Sequence, residues 1–224
     1  MSGRTIVIGD IHGCDVALET LLDALDLQSN DLVITLGDVI DRGPNSRRCI
    51  DLLLELQQTC RSVHLMGNHE EMFFSAMHGG EWSQTWAQYG GHEMLASYGG
   101  TFQSVPERHL DFLRNGKDYF ENDQIICVHA SLRWMVPVDH EVTHWLRWNR
   151  FRPEQPPHVS GKRVLAGHTA QRSGLPAIVP GWVCLDTHVY GPEGRLSALI
   201  VEEDQLRQSN QQGHLWPARE LSTR

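Results

Sequence analysis

The sequence predicts an α/β fold, and three observations carry that expectation. Short β-branched runs alternate with helical patterns at βαβ spacing, the first three strands run into glycine-flanked polar loops, and no Pro/Gly/Ser-rich linker divides the chain. Residues 5–9 read as a strand, after which Leu18, Leu21, Leu22 and Leu25 recur at helical spacing behind Asp15, a capping residue type. Residues 32–36 read as a second strand and 37–45 as a loop. Ser46 then caps a helix whose Cys49, Leu53, Leu56 and Cys60 share one face. Residues 63–66 give a third strand. Such units predict a largely parallel sheet whose strand ends carry the ligand-binding loops.

Residues 71–115 are expected to form a helical cap inserted into a single domain of residues 1–202. Glycine pairs at 79–80, 90–91 and 99–100 interrupt it, and Pro106 suits the first turn of its last helix. Strands are expected at residues 125–128, 163–166, 182–185 and 196–201, with a helical stretch at 141–148. Residues 203–224 are polar and Gln-rich, which predicts a loosely held tail.

Composition narrows the class. At 224 residues, 40% apolar and 21% charged, the chain is too apolar for disorder and long enough for one sizeable core. Neither a signal-peptide pattern nor an apolar run of bilayer length occurs. Five cysteines without Cys-x-x-Cys spacing suggest neither a disulfide framework nor a thiolate zinc site, and a cytoplasmic location is expected. A net charge of −9 argues against nonspecific nucleic-acid or anionic-membrane binding.

The chemistry lies in the polar loops. Asp10 and His12 in GDIHG are two apart in extended chain and point the same way, so both can bind one metal while Ile11 anchors in the core. Asp38 in GDVIDRG can place one oxygen on each of two cations, which two-metal sites hold about 3.5–4 Å apart. Asn68 in GNHE, with His129 and His168 after later strands, would complete the ligands of the second metal. Such nitrogen and oxygen donors suit manganese, iron or zinc better than calcium. Two divalent ions, manganese first, are therefore the expected cofactors, and hydroxide the expected nucleophile. His69 could protonate the leaving oxygen with Asp41 orienting its ring. Arg42 and Arg150, beside Asn68, could grip phosphate oxygens, arginine doing so in bidentate fashion.

In this order GDIHG, GDVIDRG, GNHE, VHA and AGHT resemble the calcineurin-like metallophosphoesterases, specifically the lambda-type bacterial and phage branch of phosphoprotein phosphatases. The resemblance implies a central β-sandwich flanked by helices. It assigns Asp10, His12 and Asp38 to one metal, and Asp38, Asn68, His129 and His168 to the other. His69 and Asp41 become the acid dyad, Arg42 a phosphate ligand, and Arg150 a phosphate ligand on a shorter match. Where relatives read Asp-Thr-Gly-Ala-Val, this chain has Asp186-Thr187-His188-Val189. Ala170 stands where nuclease branches have a second histidine after Gly-His, so a nuclease is not expected.

The expected activity is hydrolysis of phosphate monoesters, with phosphoserine or phosphothreonine in proteins as substrate. The alternative is a symmetrical diadenosine tetraphosphate hydrolase or another small-phosphate hydrolase. That branch usually lacks an aspartate equivalent to Asp41 and has Asn-His-Asp where this chain has Asn68-His69-Glu70. Trp82, Trp86 and Tyr89 have helical spacing that suits either packing or base stacking.

Overall fold

The computed structural model describes residues 3–221. β1 (Thr5–Ile8), β2 (Leu32–Thr35) and β3 (Arg61–His64) pair in parallel, joined by α1 (Asp15–Leu25) and α2 (Ser46–Thr59). The helical segment that follows contains α3 (Asn68–Met77), α4 (Ser83–Trp86), a π turn over Ala87–Gly91, α5 (His92–Ser97) and α6 (Glu107–Arg114). A second sheet holds β4 (Tyr119–Glu121), β5 (Ile125–Val128), β6 (Arg163–Ala166), β7 (Ala177–Val179) and β8 (Trp182–Cys184) in the order β4-β5-β6-β8-β7, with α7 (Thr143–Trp148) inserted. β9 (Leu196–Ile200), β10 (Gln205–Ser209) and β11 (Arg219–Glu220) return to the first sheet, whose order is β11-β10-β9-β1-β2-β3.

Strand alternation explains the layers. Val7, Ile34, Leu165, Val183 and Leu199 fill the space between the two sheets. Ile6 and Ile8, on the other face of β1, pack with Leu18, Leu21, Ile50 and Leu53 of the first two helices. The far face of the second sheet buries Val164, Trp182 and Leu146. The result is the expected β-sandwich flanked by helices. All five cysteines are buried and unpaired, and no helix among the described residues is long and apolar enough to cross a membrane.

Three local expectations are corrected. The sheets are mixed rather than largely parallel, because β9, β10, β4 and β7 each join a neighbour antiparallel. The segment expected as a loose tail supplies β10, which pairs with all five residues of β9 and buries Leu206, Gln208 and Ser209. Gln208 donates to Gly174 O and Ser197 Oγ, both at 2.8 Å, so a polar strand is satisfied inside the fold. Finally, Asn45 rather than Ser46 caps α2, accepting from the Arg48 amide at 3.2 Å. Ser46 Oγ turns instead to accept the Asp41 amide at 3.0 Å.

Candidate metal centre

The loops after β1, β2, β3, β5 and β6 converge at one end of the sandwich. Their backbones take unusual shapes: His12, Asp38, Asp41, Arg42 and His168 have φ of 47°, 46°, 73°, 68° and 61°. A non-glycine residue held there costs about 1–3 kcal/mol, a cost that the surrounding contacts must offset. Glu70, fully buried at the start of α3, supplies that offset around Asp38. Its carboxylate accepts the amides of Gly67, Asp38 and Val39 at 2.9 Å and of Ile40 at 3.4 Å. Burial and nearby Asp38 push the Glu70 pKa up to about 7 against these bonds. Two glycines permit the close approaches: a Cβ at Gly67 would meet Asp38 Oδ1 at 2.1 Å, and one at Gly167 would meet Asp10 Oδ1 at 2.1 Å.

Each of three histidines donates one ring N–H to a backbone carbonyl. His12 Nδ1 reaches Ile40 O at 3.0 Å, His129 Nδ1 reaches Leu36 O at 2.8 Å, and His168 Nε2 reaches Trp148 O at 3.0 Å. Burial lowers the pKa of all three, reinforced at His12 by Arg42 and at His168, down to about 4, by His129. The rings are therefore neutral and their remaining nitrogens bare. Two of them, on His129 and His168, face oxygens. His129 Nε2 lies 3.0 Å from Asn68 Oδ1 and 3.4 Å from Asp38 Oδ1, and His168 Nδ1 lies 2.9 Å from Asn68 Oδ1.

Acceptors set against acceptors fit a cation, and histidines fixed by backbone carbonyls are the usual support of metal ligands. Two groups, His12 with Asp38 and His69, and Asp38 with His129 and His168, each keep their ligand atoms within 4.8 Å of one another and share Asp38. Excess negative charge is a second sign of fit. Burial, Asp186 and Asp38 raise the Asp10 pKa well above the carboxylate range, and Asp186 is pushed up to about 6 by burial and Asp38. Asp10 itself lies outside both groups, its carboxylate accepting the His168 amide at 3.0 and 3.2 Å.

His69 Nδ1 meets Asp41 Oδ2 at 2.6 Å, and Trp86 Nε1 donates to the same oxygen at 2.9 Å. Burial opposes protonation of His69, but Asp38 and Asp41 outweigh it and raise the pKa. Asp41 is raised by burial and held back by its bond to His69. Arg42 donates to His12 Nε2 at 2.8 Å and to Tyr190 Oη at 2.6 Å, and its other terminal nitrogen lies 2.9 Å from His69 Nε2. Arg150 sits apart, exposed at the rim of a 330 Å³ pocket that Asp38, Asn68, His69 and His168 also line.

Four residues at this centre were given no role from sequence. Glu70 stands in the GNHE motif, where the sequence marks only a difference between branches, and Asp186 lies in a variant turn. Trp86, expected in a packing or stacking stripe, is buried and bonds Asp41 instead. Tyr190 carried no signal, since its partner Arg42 is 148 residues away.

A sequence model of the calcineurin-like phosphoesterase family matches residues 3–207. The chain belongs to that family. Among curated calcineurin-like relatives, a Salmonella typhimurium serine/threonine-protein phosphatase 1 is 38% identical over 34% of this chain and 38% of its own. A symmetrical bis(5'-nucleosyl)-tetraphosphatase of Nitrosomonas europaea is 29% identical over 66% of this chain and 54% of its own. The chain thus spans about half or less of these relatives' lengths. Solved structures share the fold: a protein proposed to be a diadenosine tetraphosphatase aligns with TM-score 0.68 at 22% identity, covering 93% of each chain. A protein-tyrosine phosphatase of a psychrophilic Shewanella aligns with TM-score 0.59 at 15% identity, covering 96% of this chain and 80% of the other.

Proposed function

We propose that this calcineurin-like phosphoesterase hydrolyses phosphate monoesters, with phosphoserine and phosphothreonine in proteins as its substrates. The observation that carries the reading is the 2.6 Å contact between His69 and Asp41. The alkoxide of serine or threonine leaves poorly without a proton, and a histidine with a raised pKa beside a buried carboxylate is built to donate one. A nucleotide leaving group departs unaided and gives such a dyad little to do.

In this reading Asp10, His12 and Asp38 hold one divalent ion, and Asp38, Asn68, His129 and His168 hold the other, manganese first with iron or zinc as alternatives. When bound, the pair supplies Lewis acidity toward water and the phosphoryl oxygens. Tyr190 steadies Arg42, whose guanidinium grips the phosphate, while Arg150 reaches it from the rim and Asn68 adds an amide. His69 gives its proton to the departing oxygen and Asp41 fixes the ring. The five buried, unpaired cysteines support a reducing, cytoplasmic setting.

The likeness to a symmetrical tetraphosphatase over 66% of the chain favours a second reading, hydrolysis of dinucleoside polyphosphates. The deciding experiment measures manganese-dependent phosphate release from a phosphoserine/phosphothreonine peptide panel beside diadenosine tetraphosphate cleavage, with Asp38→Asn as the blank. Peptide turnover well above dinucleotide turnover is expected, and the reverse would overturn the proposal.

A further inference from the structure

A second cavity, of 550 Å³, adjoins the metal pocket, and Arg150 lines both. Its walls are apolar and aromatic where Leu132, Trp134, Met135 and Trp145 line it, and basic where Arg150 and Arg152 do. Trp134 is 40% exposed and Met135 65%, an unusual amount of large apolar side chain to leave in water. The strip continues past the cavity, since the amide of Val159, itself 62% exposed, donates to Trp134 O at 2.8 Å. Arg133 is committed to Glu141 at 2.9 Å. Arg150 and Arg152 are exposed and form no ion pair among the described residues. Glu154 also lines the cavity and offsets one of them, so on a chain of net charge −9 the two arginines leave a local excess of positive charge beside exposed aromatic surface.

We propose that this cavity binds the peptide segment adjoining the phosphorylated residue and selects for acidic and bulky apolar side chains there. The proposal rests on the phosphoprotein reading above. Continuity supports it: with phosphoserine in the metal pocket, neighbouring residues follow at about 3.3 Å each, so the next few fall past Arg150 into the cavity. Charge supports it too, because a carboxylate on that segment, past the phosphate that Arg150 takes, would meet Arg152, whose planar fork suits it. Trp134 and Met135 offer a broad face, the thioether adapting to different apolar side chains. An apolar strip running on to Val159 outreaches a single nucleobase, which favours an extended chain over a nucleoside.

The test is steady-state kinetics of the manganese-loaded full chain on phosphoserine peptides whose flanks are Glu/Phe, Ala/Ala or Lys/Ala, with p-nitrophenyl phosphate as a flankless control. The variants are Arg152→Glu and Trp134→Ala. Each is expected to lower kcat/KM for the Glu/Phe peptide about tenfold, through KM, while leaving p-nitrophenyl phosphate turnover unchanged. Arg152→Glu is further expected to favour the Lys/Ala peptide. Unchanged control turnover also reports intact folding. Phosphopeptide turnover without flank preference, or variants that affect all peptides alike, would overturn the subsite and leave the phosphoprotein reading standing. Cleavage of diadenosine tetraphosphate without any phosphopeptide turnover would overturn both, and a raised dinucleotide KM in Trp134→Ala would make the cavity a nucleoside site.

Discussion

The metal pole and the cavity beside it are built on opposite terms. At the pole, Asp38, Asp41, His69 and Glu70 are almost wholly buried, the loops carry left-handed residues, and one carboxylate ties four amides together. In the cavity, Trp134, Met135 and Arg152 stand exposed, outside regular helix and strand. The contrast teaches that chemistry is bound into the fold here, whereas recognition lies on surface that can change without disturbing it.

The most severe way to break the pole is Asp38→Asn, since both ligand groups share that carboxylate. Activity on every substrate should fall at least about a thousandfold and bound metal should drop, checked by turnover and elemental analysis. Two tightly held metals per chain in the variant would refute the sharing. His69→Asn should cost about 10²–10⁴-fold on a phosphoserine peptide and little on p-nitrophenyl phosphate, whose leaving group needs no acid. Equal loss on both would remove His69 from the acid role.

Glu70→Ala tests the scaffold alone. It leaves buried amides without an acceptor, at about 1–3 kcal/mol each in the absence of compensation, so the denaturation midpoint should fall far more than for Trp134→Ala or Arg152→Glu. Exposed positions of the latter kind usually stay within about 0.5 kcal/mol. A Glu70 variant as stable as those would erase the contrast.

The mildest change sharpens it. Because the folded His69 pKa is raised above its ordinary 6.5, its protonated form adds stability that is full below that value and is lost as pH rises through the folded pKa. Phosphoserine turnover should fall over the same alkaline range, since the acid must carry its proton. Trp86→Phe removes a donor from Asp41, leaving a more basic carboxylate that holds the His69 proton more tightly. The alkaline limb should therefore move to higher pH, with a rate loss of a few fold near neutrality because a weaker acid gives up its proton less readily. A pH profile identical to that of the wild type would show that the indole contributes only packing.

Legibility in the sequence followed range. β1, β2 and β5 were visible because each is a compact apolar run with its own local pattern. β10 was not, since Gln205–Ser209 is polar and becomes strand only through pairing with β9 and the bonds of Gln208. At the candidate site, the glycine-flanked loops mark Asp10, His12, Asp38, Asn68 and His69 as candidates, because each motif is local. The uncovered part is what holds them: Glu70 reaches back 32 residues to Asp38, Trp86 reaches 45 to Asp41, and Tyr190 lies 148 from Arg42. Such partners have no spacing to read.

The place of β1 has a consequence for how the molecule is made. One of its neighbours, β2, follows closely in the chain, but the other is β9, with Ile6 opposite Ile200. α1 is likewise fastened from afar, Ser209 donating to Ala17 O at 2.6 Å and Gln211 Oε1 accepting the Ala17 amide at 3.1 Å. Asp10 and His12 thus precede by some two hundred residues the strands that complete the walls around them. Closure by such distant pairing is slow, and an open β1 edge stays exposed to chaperones and to stray strands until β9 arrives. Assembly of the candidate centre accordingly waits on the arrival of β9.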